Sequence, residues 1–231
     1  PLYSSAASDV YKRQEKAKLT GLALHALGLE KGNVVSIASE GNPEWLYTDL
    51  GTICAGGISS GVYTTDSAAQ VKYLVNVSAT KFYYAENEEQ LDKILEVRSE
   101  CPTLKQIIVF DMEGLNEFHD DQVISYEEFL KIGEKANQEK PDLWESLINN
   151  VNSSDIAILV YTSGTTGPSK GAMINHENIL YSINTGYDIF ETMEHEEQLS
   201  FLPLCHILER SVSVMIPLSL IHISEPTRRT P

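Results

Sequence analysis

An α/β fold built on a doubly wound, mainly parallel sheet is predicted by three observations. Short apolar, β-branched runs alternate with stretches of helical spacing along most of the 231 residues. The runs at 34–38 and 156–161 are apolar at nearly every position rather than at every second one, as strands covered on both faces are. Glycine, proline or asparagine stands at many of the junctions, where a helix would begin or end.

Residues 16–27 carry helical spacing and end at Gly28, after which residues 34–38 read as a buried strand. Pro43 opens a helix through Trp45, Leu46 and Leu50 toward Gly56 and Gly57, because its fixed φ suits a first helical turn. Residues 58–63 are the next strand, 67–77 a helix and 81–85 a strand. Asn87 is an N-cap for a helix reaching Arg98, and 106–110 return to strand. Residues 111–151 are richer in charge and read as a solvated connector between two sheet regions, with helices at 126–135 and 143–149. Glu127 and Glu128 there serve a helix start rather than acid–base chemistry. Residues 156–161 form an apolar strand, 172–174 another, 176–190 a helix, 198–202 a strand, and a last helix begins at Ile207. Strand and helix in turn imply right-handed crossovers.

With 42% hydrophobic and 22% charged residues, the chain can bury a substantial core. Its formal charge of -16 argues against nucleic-acid binding and against adhesion to an anionic bilayer, both of which require a basic footprint. An anionic ligand must therefore be held by local donors. Cys54, Cys101 and Cys205 lack the paired spacing of a disulfide or zinc framework and suit a reducing cytoplasm. Cys205 stands beside His206, but adjacent residues point different ways, so it is read as a packing cysteine. The sequence contains no run of about 18 apolar residues, the length a membrane-spanning helix requires.

Directly behind the strand at 156–161 lies Tyr161-Thr-Ser-Gly-Thr-Thr-Gly-Pro-Ser-Lys-Gly171. Its glycines let backbone approach a ligand closely and leave amide N–H groups free to converge on anionic oxygens. Thr162, Ser163, Thr165, Thr166 and Ser169 add hydroxyl donors, and Lys170 adds a positive charge. That is the chemistry of a polyphosphate cradle. The P-loop of nucleotide hydrolases is a poor fit, because Ser169 stands where its second glycine belongs and Lys170 is followed by Gly171 instead of a hydroxyl residue. Clusters of this composition also mark ordinary turns, yet eleven such residues behind a buried strand favour the ligand loop.

At these residues the sequence resembles the AMP-forming acyl-adenylating enzymes, whose phosphate-loop signature Tyr161 to Gly171 match without a break. Leu202-Pro-Leu-Cys-His-Ile-Leu-Glu-Arg210 is similar to a segment of the long-chain fatty acyl-CoA ligase branch, and Gly61-Val-Tyr-Thr-Thr-Asp66 to that branch's upstream region. The resemblance implies the large N-terminal domain of adenylate-forming enzymes, here an incomplete sheet. It implies ATP with Mg2+ as cofactor and CoA as co-substrate. The reaction it implies is attack of a fatty carboxylate on the α-phosphate to give acyl-AMP and pyrophosphate, followed by displacement of AMP by CoA. Nucleotide binding falls by resemblance to Thr162, Ser163, Gly164, Thr165, Thr166, Gly167 and Lys170, the lysine lying in a loop that moves before ATP binds. His206 takes the catalytic place beside the nucleotide and acyl groups; no metal ligand is assigned. Glu209 and Arg210 either brace the helix carrying His206 or form an exposed ion pair, and His176 supports structure.

Both ends are expected to be foreign. Residues 4–14 can be read codon for codon as a translated sequencing-library adaptor, and 218–228 as a reverse-strand one. The domains expected are thus 1–14 and 218–231 as adaptor, with 15–217 a partial AMP-binding N-terminal domain lacking the C-terminal domain. The expected partners are fatty acid, ATP and CoA, with no nucleic acid. The expected location of the parent is cytoplasmic, with peripheral membrane contact open to it. The family's Tyr-Gly-x-Thr-Glu segment and adenylation lysine are not among these residues, so the fragment is expected to be inactive. Two alternatives stand: an adenylating enzyme for another acid, or a truncated non-catalytic nucleotide- or acyl-binding module.

Overall fold

A computed structural model describes residues 2–162, 168–189 and 202–211, without the side chains of 2–10 and 186–189. The chain opens with α1 (Leu2–Ala26), then β1 (Val34–Ala38), α2 (Pro43–Cys54), β2 (Ile58–Val62), α3 (Ala68–Val77), β3 (Phe82–Ala85) and α4 (Glu88–Val97). It continues with β4 (Gln106–Val109), β5 (Val123–Ser125), α5 (Tyr126–Glu139), α6 (Leu143–Asn149), β6 (Ile156–Thr162), β7 (Lys170–Asn175), α7 (His176–Ile189) and α8 (Ile207–Glu209). The expected strand at 198–202 lies outside the described residues except for Leu202, which is a bend.

The described strands form one seven-stranded sheet in the order β5-β4-β3-β1-β2-β6-β7. Every pair is parallel except β6 with β7, which run antiparallel. Alternating side chains of the central strands enter two separate cores. Val35, Ile37, Phe82, Tyr84 and Ile108 pack with α1, α2 and α5 on one face. Ala38, Val62, Tyr83, Ala85, Ile107 and Val109 pack with α3 and α4 on the other. Both faces are covered, which is why most strand positions are apolar, with Ser36, Ser59 and Ser60 buried among them. The sheet is doubly wound, as the alternation predicts.

Helix starts follow their capping chemistry. The Asn42 side chain accepts from the Trp45 N–H at 2.8 Å ahead of Pro43, and Asn87 accepts from Gln90. Ser67 with Gln70 and Ser125 with Glu128 form capping boxes.

Three expectations need correction. Residues 111–151 are not merely a solvated connector: Val123–Ser125 pairs with β4 and adds an edge strand, while α5 buries Tyr126, Phe129 and Leu130 in the first core. The first helix begins well before residue 16, at Leu2. The strand expected at 172–174 starts at Lys170, so the lysine placed in the phosphate loop is instead a strand residue.

Candidate functional site

The segment 161–171 closes a hairpin. Tyr161 pairs with Gly171 and Thr162 with Lys170, so the ladder holds both stems of the loop between them. A Cβ on Gly171 would come within 3.1 Å of the Tyr161 ring, so glycine there lets the aromatic lie across the neighbouring strand. At the far stem the Tyr73 hydroxyl, from α3, donates to the Ser169 carbonyl at 2.9 Å. Ser163, Gly164, Thr165, Thr166 and Gly167 lie outside the described residues. Lys170 is exposed on β7.

The stems of the hairpin, at Thr162 and Ser169, and the Leu202-to-Arg210 segment meet at the carboxyl ends of β2 and β6. The loop after β1 leads to α2 on one face of the sheet, and the loop after β2 leads to α3 on the other. Such a divergence opens a crevice beyond the strand ends, the usual ligand position in open α/β sheets. Across these ends runs the segment before α8: Leu204 approaches Gly41, and Cys205 sits directly on Gly61. A Cβ on Gly61 would lie 2.5 Å from the Cys205 Cβ, so only glycine admits this contact.

A cleft of about 400 Å³ remains, lined by Tyr63, Asp66 and Gln70 on one side, Tyr161, Thr162 and Ser169 on another, and His206 with Ile207 closing it. It therefore joins Thr162 and His206, 44 positions apart, and excludes Lys170 from its lining. His206 is exposed, caps α8, and accepts the Leu208 N–H on Nδ1 at 3.3 Å. Desolvation raises the Asp66 carboxyl above its ordinary value, against the opposing pull of Lys93 and a backbone hydrogen bond. Lys93 is held nearby by the Thr64 carbonyl at 2.6 Å. Burial also raises the Tyr63 phenol and pushes the Cys205 thiol up to about 12, which suits packing and not nucleophilic attack.

Glu209 and Arg210 are not an exposed ion pair with each other. Both are buried: Glu209 accepts the Leu202 N–H at 3.3 Å, and Arg210 pairs with Asp49 of α2. Sequence reasoning missed Asp49, although it falls in the buried stripe Trp45, Thr48, Asp49, Thr52, where a carboxylate needs a partner. Gln70 and Tyr73 were likewise missed, since nothing local marks a helix residue that reaches a loop 96 positions away. His176 begins α7 and donates its backbone N–H to the Asp155 carbonyl, a structural role.

Among the described residues no three His, Cys, Asp or Glu side chains gather as a metal site. A second hollow of about 440 Å³, around the Arg98–Asp120 ion pair and His119, lies before the start of β5, at the opposite edge of the sheet. No described helix is long and apolar enough to cross a membrane.

Residues 12–222 match the AMP-binding enzyme family. The chain is 32% identical over 209 residues to the long-chain-fatty-acid–CoA ligase ACSBG2 of Homo sapiens, covering 89% of this chain and 30% of that protein. It is 34% identical over 185 residues to the long-chain-fatty-acid–CoA ligase ACSBG1 of Macaca fascicularis, covering 78% of this chain and 25% of that one. The chain thus spans between a quarter and a third of these relatives. In fold it is similar to the anthranilate CoA ligase AuaEII in complex with anthranoyl-AMP (TM-score 0.74, 20% identity, 89% of this chain and 37% of that one). It also resembles the N-terminal domain of FACL13 from Mycobacterium tuberculosis (TM-score 0.71, 16% identity, 90% and 47%).

Proposed function

This chain belongs to the AMP-binding enzyme family, and on that ground we propose that its parent protein is a long-chain fatty acyl-CoA ligase that forms acyl-AMP from ATP and then acyl-CoA. The observation that carries the reading is the cleft at the strand ends, where the stem of a hydroxyl-rich loop faces His206. The nucleotide belongs at that loop. Thr162 lines the cleft, and the glycine- and hydroxyl-rich residues Ser163 to Gly167 follow it directly. Amide and hydroxyl donors there hold the β- and γ-phosphates and stabilise the charge that develops on departing pyrophosphate. Lys170, on its strand, contributes a long-range positive charge beside the loop.

His206 has a defined chemical part. A ring whose Nδ1 accepts the Leu208 N–H carries its proton on Nε2, so it offers the cleft a donor. That donor orients the attacking carboxylate or the α-phosphate oxygen; the ring does not act as a base in this tautomer. Asp66 and Tyr63, on the opposite wall, restrict how the substrate lies. Among the described residues no three His, Cys, Asp or Glu side chains gather to cage Mg2+. Such an ion is commonly held by substrate phosphates with only one or two carboxylates.

The test is acid-dependent ATP–pyrophosphate exchange by the full-length parent. Exchange with long-chain fatty acids supports the reading. Exchange confined to aryl or amino acids would transfer the assignment to another adenylating enzyme, and nucleotide binding without any exchange would favour a binding module. The 231-residue chain alone is expected to give no exchange, and a fatty-acid-dependent signal from it would refute that part. A cytoplasmic location with peripheral membrane contact belongs to the same proposal, and fractionation of source cells tests it.

A further inference from the structure

We propose that Asp49 and Trp45 of α2 are positioning residues for His206, acting through Arg210; the inference rests on the reading of His206 given above. Helix α8 (Ile207–Glu209) continues directly into the π-helical residues Arg210 and Ser211. Its direction is set by what anchors it. Within this segment, Arg210 and its partner Asp49 are both almost inaccessible, at 1% relative exposure each. The Arg210 Nε donates to Asp49 Oδ2 at 3.1 Å, and Nη2 donates to Oδ1, a two-pronged contact across 161 positions of sequence. The guanidinium also lies 5.2 Å from the centre of the Trp45 ring.

A buried ion pair is weak evidence of stabilisation, since apolar residues of similar volume often anchor a segment as well. What the planar fork adds is orientation. Two parallel hydrogen bonds and a ring face leave the guanidinium one setting, and through it the turn that carries it. The Arg210 N–H donates to the His206 carbonyl at 3.1 Å, so the same turn fixes the His206 backbone. On the other side, Cys205 on Gly61 and Leu204 against Gly41 prevent the segment from sliding. His206 thus projects over the cleft from a segment anchored before it by Leu204 and Cys205 and after it by Arg210, and α2 sets its aim. Placement of a reacting group to within fractions of an ångström is worth large factors in rate.

The experiment uses the full-length parent with Asp49→Asn, His206→Ala and the double variant, followed by fatty-acid-dependent pyrophosphate exchange. Asp49→Asn is expected to lower kcat about tenfold while KM for ATP changes by less than about twofold, as for loss of an interaction used in the transition state. In the His206→Ala background the same change is expected to cost less than about twofold more, because residues acting as one unit are not additive. Multiplying losses in the double variant would overturn the proposal, and so would an unaltered kcat in Asp49→Asn beside an impaired His206→Ala. If His206→Ala alone leaves exchange intact, the reading of His206 fails instead. Trp45→Phe removes part of the stacking face without stranding a charge. Should Asp49→Asn not fold, Trp45→Phe carries the test: a loss of kcat of about threefold that vanishes in the His206→Ala background supports positioning, and a loss that persists there refutes it.

Discussion

Cys205 and His206 are neighbours in sequence with opposite fates. Cys205 is buried against Gly61, while His206 is exposed at the cleft. With its thiol pushed up to about 12 by burial, Cys205 holds far less thiolate at neutral pH than an exposed cysteine. Iodoacetamide is therefore expected to modify Cys205 at least about a hundredfold more slowly in native protein than in urea, as followed by mass spectrometry of its peptide. Equal rates in the two states would show that the thiol does not pack as described. The packing role was readable from sequence, because consecutive side chains diverge. The partner of Arg210 was not: nothing within several residues of Arg210 distinguishes a buried fork from a solvated one, and Asp49 lies 161 positions away.

Helices α1 and α5 cross with unusually little between them. A Cβ on Gly133 would come 2.1 Å from the Leu19 carbonyl oxygen, a backbone atom that cannot turn aside. Gly133→Ala is thus expected to destabilise the fold by about 1–3 kcal/mol, seen as a lower urea midpoint at unchanged slope. A wild-type midpoint would mean that the two helices are not in this contact. The same element explains the misreading of residues 111–151. Glu127, Lys131, Glu134 and Lys135 cover the outer side of α5, and their charge dominates the composition of the segment. The buried stripe of Tyr126, Phe129, Leu130 and Gly133 is narrow by comparison. Strand β5 has only three residues, too few for any periodicity to register. By contrast β1, α2 and α4 were legible, because Gly, Pro and Asn caps bound runs of plain period.

For the whole molecule, several groups couple folding to acid. The carboxyls of Asp120, Asp155 and Glu128 are held below their ordinary values, mainly by hydrogen bonds from Arg98, Lys31 and Ser125 respectively. Their folded pKa values are depressed, so each contribution is present at neutral pH and lost as pH falls through the carboxylate range. Burial lowers His176 as well, so its contribution is present above its unfolded value near 6.5 and lost on further acidification. Asp66, raised by desolvation, works the other way. Calorimetry is expected to show Tm falling in two stages, first below about pH 6.5 and then more steeply below about pH 4, with the first stage absent in His176→Asn. A single fall in both proteins would remove His176 from the account. At this scale the sequence alone determined the α/β class, most element positions, the acidic character and the phosphate-loop motif, all of which depend on local order and composition. Only the tertiary structure decided that Lys170 lies on a strand, that β5 joins the sheet, that Thr162 and His206 share one cleft, and that α2 holds Arg210. Those facts depend on which distant segments bury each other's polar groups, and local pattern carries no record of the partner.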